Sequence, residues 1–321
     1  MTALATAETQ NEDITRAFVA YSLEQMPSFV RAWRGQRLAE DIGEATASVV
    51  GLLDDDEAAR SYADTMSVIG LAPEHFRAKL IDAGGHRFLA QIDFPNTAGD
   101  EPFISIFRGS RLPGSFDTRA VMDAIADRFA IFAPVAAQFF HPSHVPMSLP
   151  GARIDQHFIA GHVQDMIEHP KAAGFSRVVL SAARDLDFYP RYVDSYEQMF
   201  SVRPELRDDV SIETQESLAE CLEQKLLFEI AVDGAWAGVV AARHQMLAGI
   251  DAIFMVEIVL DQRARGQGLG PAVHQHLARE VALLDPDAII SGTIAPANIP
   301  SLKTALRTGR RHVGAWYRFD F

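Results

Sequence analysis

The chain has 321 residues, 48% of them hydrophobic and 22% charged, with 43 acidic residues against 29 basic ones and a net charge of −14. At about 150 residues per domain this length predicts roughly two domains. The acidic surplus disfavours nucleic acid or an anionic membrane surface as the main partner, because both reward a basic face. Cys221 is the single cysteine, which excludes an internal disulfide and any multi-thiolate metal site. No apolar run approaches the roughly 20 residues that cross a bilayer, and no basic segment followed by an apolar stretch opens the chain. A cytoplasmic protein is the expectation.

From Glu12 to about Ala83 the pattern reads as helical. Ala17, Tyr21, Met26 and Phe29 fall near helical spacing, and "HFRAKLIDAGG" ends on a glycine pair suited to a helix C-cap. The period then changes: "HRFLAQIDF" and "EPFISIF" read as strands joined by the polar loop "PNTAGD". A helix at "DTRAVMDAIADRFAIFA" and a strand at "PVAAQFFHP" follow, and the proline-rich "HPSHVPMSLPG" reads as a linker or loop. No internal repeat or low-complexity tract stands out, and "AGGHRFL" and "RGSRLPGSF" match no phosphate motif.

After about Pro170 a second unit begins, which divides the chain into residues 1–165 and 170–321. "FSRVVLSAA" reads as a strand. "DFYPRYVDSYEQMF" and "IETQESLAECLEQKLL" read as helices, the latter with Leu218, Leu222 and Leu226 on one stripe. Asp233-Gly234 is a hairpin turn signal between two strands, and "DAIFMVEIVL" is a third. A glycine-rich stretch, a helix, a strand at "AIISGTIA", a helix at "PSLKTALRTG" and a last strand at "AWYRFDF" complete the order. The fold class is mixed α/β (α+β), with a largely antiparallel sheet flanked by helices and an additional N-terminal α/β domain.

The segment "VEIVLDQRARGQGLGPAVHQHLARE" passes from β-formers through three glycines into an amphipathic helix carrying Leu269, Val273, Leu277, Val281 and Leu284. Pro271 sits in the first helical turn, where its missing N–H is harmless. A helix N-terminus carries about half a positive charge, and glycines let a ligand approach the backbone, so the construction suits a phosphate group. It is not a Walker A loop, since no Gly-Lys-Ser/Thr follows. Nor is it G-x-G-x-x-G, since Pro271 stands after Gly270 and an antiparallel meander precedes it.

Arg265-Gly-Gln-Gly268-Leu-Gly270 resembles the R/Q-x-x-G-x-G/A signature of the GNAT (GCN5-related N-acetyltransferase) superfamily. Glu257, eight residues before Arg265, stands where many members carry an acidic residue. Downstream, Asn298, Ser301 and Gly309 are similar to the family's second motif. The resemblance covers slightly less than half of the chain. It implies acetyl-CoA as co-substrate and direct acyl transfer to a small amine or amino-acid-like acceptor, without a metal. Main-chain N–H groups of Arg265, Gly266, Gln267, Gly268, Leu269 and Gly270 would bind the diphosphate. Ile258, Val259 and Leu260 would pair with the pantetheine arm, which Asn298 would touch, and Ser301 would reach a phosphate.

Under that resemblance Glu257 is the candidate base; a strand carboxylate facing solvent or a structural partner is the other reading. Many relatives carry a proton-donating tyrosine seven residues after the asparagine. Ala305 stands there, so Tyr317 or a water is the candidate acid, and a GNAT-fold protein that binds acyl-CoA without turnover is the rival reading. Asp187, Tyr189 and Trp236 are candidate acceptor contacts. Asp185 and Asp194 have the same reading, with a solvated helix start as the plainer one. The histidines 141, 144, 157, 162, 274 and 276 match no metal motif and read as surface or capping residues, while Phe139, Phe140 and Phe158 read as core. The N-terminal half is a degenerate GNAT-like copy or an unrelated cap or dimerisation domain, and a homodimer is one reading of the oligomeric state.

Overall fold

The structure is a computed structural model and describes residues 2–53, 55–66, 70–95, 101–108, 118–147, 149–207 and 210–321. Most of the "PNTAGD" loop and of "RGSRLPGSF" lies outside these. In chain order the elements are α1 (Thr2–Gln25), α2 (Ser28–Arg34), α3 (Arg37–Gly51), α4 (Asp56–Thr65), β1 (Lys79–Ala83), β2 (His86–Asp93) and β3 (Phe103–Arg108). Next come α5 (Thr118–Asp127), β4 (Ala136–Pro142), β5 (Ala152–His162), α6 (Val163–Glu168), β6 (Val178–Ala182), α7 (Tyr189–Val202) and α8 (Gln215–Glu223). The chain ends with β7 (Leu227–Val232), β8 (Ala235–Leu247), β9 (Ile250–Leu260), α9 (Gly270–Leu284), β10 (Ile289–Ile294), α10 (Ile299–Leu306) and β11 (Arg311–Asp320). The class is mixed α/β with mostly antiparallel pairing, as the sequence predicts.

Two compact units emerge. The first is Met1–Asp155 with Ala248–Ile250 and Gly314–Phe321; the second is Gln156–Leu247 with Asp251–Val313. The division therefore falls at Asp155, ahead of the expected 165–170. The reason is β5, a strand not predicted from sequence, whose residues His157 to His162 pair antiparallel with β10. The proline-rich segment begins with the last two residues of β4, His141 and Pro142, and leads to β5 within the first unit, so it joins no two domains.

In the first unit β1, β2 and β3 form an antiparallel meander, and β4 then runs parallel to β3 with α5 in between. The C-terminal residues of β11 pair antiparallel with β4. Phe76, Phe88, Ile104, Ile125, Phe129 and Phe139 fill the core. "KLIDAGG" is here a strand and a turn, contrary to the helical reading. Ala83 faces His86 across a two-residue loop in which Gly84 and Gly85 have φ of 57° and 77°. A tight hairpin of this kind requires two left-handed residues, which glycine adopts without steric cost.

The second unit repeats that order. β7, β8 and β9 are sequential neighbours, α9 follows, and β10 returns parallel to β9, giving the order β5-β10-β9-β8-β7-β6. The β7–β8 hairpin turns on Asp233 and Gly234, both left-handed, as predicted. One core cluster packs α9 against one face of the sheet and a second packs α7 and α8 against the other. The predicted stripe on α8 is shorter than expected: Leu218 is on the helix, whereas Leu226 lies beyond its end and is buried just before β7.

Candidate active site

The two central strands of the second unit diverge. β9 and β10 pair only at Ile253–Ile290 and Phe254–Ser291, although β9 runs on to Leu260 and β10 to Ile294. The gap is a cleft of about 760 Å³ with Met255 to Leu260 along one side and Gly292 to Ala295 along the other. An unpaired strand edge inside a protein offers backbone donors and acceptors to an extended ligand.

Side-chain alternation breaks within β9 at the same place. Ile253 and Met255 belong to the α9-side cluster, and so do Ile258 and Leu260, three residues after Met255. Val256 and Val259 pack instead on the α7 side. Regular alternation has a period of two, so one residue between Met255 and Ile258 is extra, the signature of a bulge. It puts Glu257 toward α7.

Glu257 is only 5% exposed. Both of its oxygens accept from the Tyr196 hydroxyl at 2.8 Å, and Oε2 also accepts a short hydrogen bond from the Tyr192 hydroxyl. The Tyr192 oxygen in turn accepts from the Glu213 N–H at 2.8 Å. Burial pushes the Glu257 carboxyl up to about 7, against the opposing pull of the two tyrosine donors. Burial first and the Glu257 charge second hold both phenols well above their ordinary range, so they remain donors. Neither tyrosine was singled out from sequence. They lie 61 and 65 residues away in the chain, and their four-residue spacing on α7 reads only as a core stripe.

At the open end of the cleft the chain leaves β9, turns at Asp261 and enters the glycine loop. Gly266 and Gly268 have φ of 73° and 71°, and a Cβ on either would meet nothing within 4 Å. Among the described residues no acceptor faces the N–H groups of Gly266, Gln267, Gly268 or Leu269. Helix α9 starts at Gly270 with Pro271 in its first turn and no side-chain cap. Four unsatisfied donors at an uncapped helix start, in an open loop, form an anion receptor.

Arg203, Arg265, Arg307 and Arg310 line this cleft, against Glu213 and Glu257 as its acids, a local reversal of the chain's acidic balance. Arg265 donates to the Ser195 carbonyl at 2.8 Å, and burial lowers its affinity for its proton. The Gln267 side chain is tied to the Arg263 carbonyl and to Arg177. Asn298 caps α10 by accepting from the Ser301 N–H at 3.4 Å, and both residues line the cleft. Ala305, in the place expected to carry a tyrosine, is fully buried.

The structure thus gathers Glu257, Ile258, Val259, Leu260, Arg265, Gly266, Gly268, Leu269, Gly270, Asn298 and Ser301 along one cleft. It does not bring the other candidates there. Tyr317 belongs to the first unit, stacked on Phe139 with ring centroids 6.0 Å apart and edge-on to His141. The Tyr189 hydroxyl donates to the Glu213 carbonyl, and the Asp187 N–H turns back onto Asp185. The Trp236 ring lies under the Arg191 guanidinium, 4.6 Å from it. His162 caps α6 as predicted, whereas His274, read as a surface or capping residue, is 3% exposed and lines the cleft because it lies on the inner face of α9. Among the described residues no group of three or more His, Cys, Asp or Glu is placed to hold a metal ion, and no described helix is long and apolar enough to cross a membrane.

No family model and no curated protein matches the chain. Solved structures are similar to it. A GCN5-related N-acetyltransferase from Sphaerobacter thermophilus is 17% identical, with 82% of this chain and 85% of that one covered at a TM-score of 0.45. A GNAT-family acetyltransferase from Colwellia psychrerythraea is 11% identical, with 82% and 95% covered at 0.46. A tandem GNAT protein from the clavulanic acid biosynthesis pathway is 15% identical, with 84% and 96% covered at 0.44.

Proposed function

We propose that the protein is a GNAT-type acyltransferase that moves an acyl group from a coenzyme A thioester, acetyl-CoA being the simplest, to a small amine. The observation that carries this reading is the row of unpartnered N–H groups from Gly266 to Leu269 at the mouth of the β9–β10 gap. A diphosphate fits such a row, and three of the cleft arginines, Arg203, Arg265 and Arg307, complement its charge. The pantetheine arm, extended and amide-bearing, lies along the open edge of β9 from Leu260 inward.

In this reading Glu257 removes a proton as the amine nitrogen attacks the thioester carbonyl carbon. The C–N bond forms, the C–S bond breaks, and coenzyme A leaves as thiolate to be protonated from water. A carboxyl near 7 is matched to this task, since a base poised at the working pH is populated and still strong enough. Tyr192 and Tyr196 position it. Main-chain N–H groups at the bulge of β9 polarise the carbonyl oxygen. The acceptor enters from the side lined by Tyr196, Met199 and Glu213. No acidic partner is required by a leaving group as good as a thiolate, which accommodates Ala305.

Calorimetric titration with coenzyme A is the direct test. The wild-type protein binds it, and Gly268→Asp loses at least about tenfold in affinity, because the new carboxylate meets the diphosphate. Undiminished affinity in that variant sinks the reading. Buried Ala305 supports one rival, an acyl-CoA-binding protein without turnover. Binding of acetyl-CoA with no thiol released over a panel of amines would favour it.

A further inference from the structure

Arg310 is the most unusual charge in the second unit. It is 3% exposed, and no carboxylate reaches it among the described residues. Its side chain crosses β10 from β5 toward β9. One end lies against Gly161, where a Cβ would come within 3.0 Å of the arginine Cγ; the other passes Gly292, where a Cβ would come within 2.9 Å of Nη2. Two glycines on neighbouring strands therefore make the passage for this side chain. Nη2 donates to the Ile159 carbonyl at 3.0 Å, Nη1 lies 3.9 Å from the Met255 sulfur, and Nε is buried with no partner.

His274 lines the same end of the cleft with its Nδ1 also buried and unpartnered. Burial first, and the Arg310 charge second, hold this imidazole down to about 3, so it is neutral. A buried guanidinium held only by a carbonyl and a thioether has its charge largely uncompensated, and an anionic partner would offset that cost. The position says which part of a ligand that partner is. Along β9 the glycine loop follows Leu260, Glu257 lies further in, and Met255, the residue Arg310 touches, lies deeper still, next to where β9 and β10 close together. A thioester anchored at the loop with its carbonyl near Glu257 presents its acyl chain to this closed end.

Resting on the donor reading above, we infer that the acyl group carries a terminal carboxylate, as in a dicarboxylic acyl thioester, and that Arg310 receives that carboxylate with His274 beside it. The acyl carboxylate takes no part in the bond changes. It selects the donor.

Titration of the full chain with coenzyme A, acetyl-CoA and succinyl-CoA tests this. Succinyl-CoA is expected to bind about tenfold or more tightly than acetyl-CoA. Arg310→Met should erase that preference while coenzyme A binds both proteins alike, and the free variant should melt no lower than wild type, since a lone buried charge has gone. Equal affinity of the wild-type protein for the two thioesters, with coenzyme A itself bound, overturns the inference and leaves the donor reading standing. A loss of coenzyme A affinity in Arg310→Met with no thioester preference in wild type puts a phosphate at this end, and overturns it too. If neither coenzyme A nor either thioester binds, both readings fall. Should Arg310→Met not fold, the wild-type comparison of the two thioesters decides alone.

Discussion

Glu257 has a carboxyl whose charge is disfavoured by its surroundings, and this has two measurable consequences. As a base it must be ionised, so kcat/KM should rise with pH through about 7 and level off above it. Glu257→Gln should lower kcat by about 10² to 10⁴ with coenzyme A affinity unchanged, read from steady-state rates and calorimetry. Tyr196→Phe removes a donor that favours the ionised form, so the acid limb of the profile should move to higher pH; a limb that stays in place would show that Tyr196 does not act on Glu257. Stability carries the same signature. The folded carboxyl is raised from 4.5 to about 7, so its protonated form stabilises the protein below pH 4.5, and that contribution is lost as pH rises through 7. At about 1.4 kcal/mol per unit, the stability of Glu257→Gln relative to wild type should improve by up to about 3 kcal/mol between pH 4 and pH 8, measured by urea denaturation at both.

At the scale of elements, the parts of the site that the sequence discloses are those whose constraints are local. Glycines at 266 and 268, a proline at 271 and a helical stripe after them define a strand, an open turn and a helix within one continuous segment, and the structure has them there. Glu257 is legible through the family resemblance, which places an acidic residue eight positions before Arg265. What depends on distant packing is not. Tyr192 and Tyr196 become partners of Glu257 only once α7 lies on the sheet, and nothing local marks Arg310, which is enclosed once β5, itself unpredicted, comes beside it. "KLIDAGG" shows the limit from the other side, because a glycine pair ends a helix or turns a hairpin equally well, and pairing with β2 decides. The hairpin makes a prediction of its own. Gly85 has φ of 77° with open space around it, so Gly85→Val is strained by its backbone alone and should cost roughly 1–2 kcal/mol in denaturation, with coenzyme A affinity unaltered.

Over the whole molecule the same succession occurs twice: three antiparallel strands, a helix, and a strand returning parallel to the third. The two copies differ where function is concerned. In the second unit the parallel pair β9–β10 holds for two residue pairs of an eleven-residue strand and then parts. In the first, β3 and β4 stay paired from Phe103–Ala136 to Ile106–Phe139, four pairs on a six-residue strand, so among the described residues no comparable gap opens along β3. Among the described residues only the second unit parts its parallel pair, and under the proposed function this predicts one donor site per chain. Calorimetry should return a stoichiometry of one coenzyme A per chain, and Gly268→Asp should weaken the whole of the signal with no second component remaining. A stoichiometry of two, or a residual high-affinity phase in that variant, would mean that the first unit binds the ligand by a route other than a parted parallel pair.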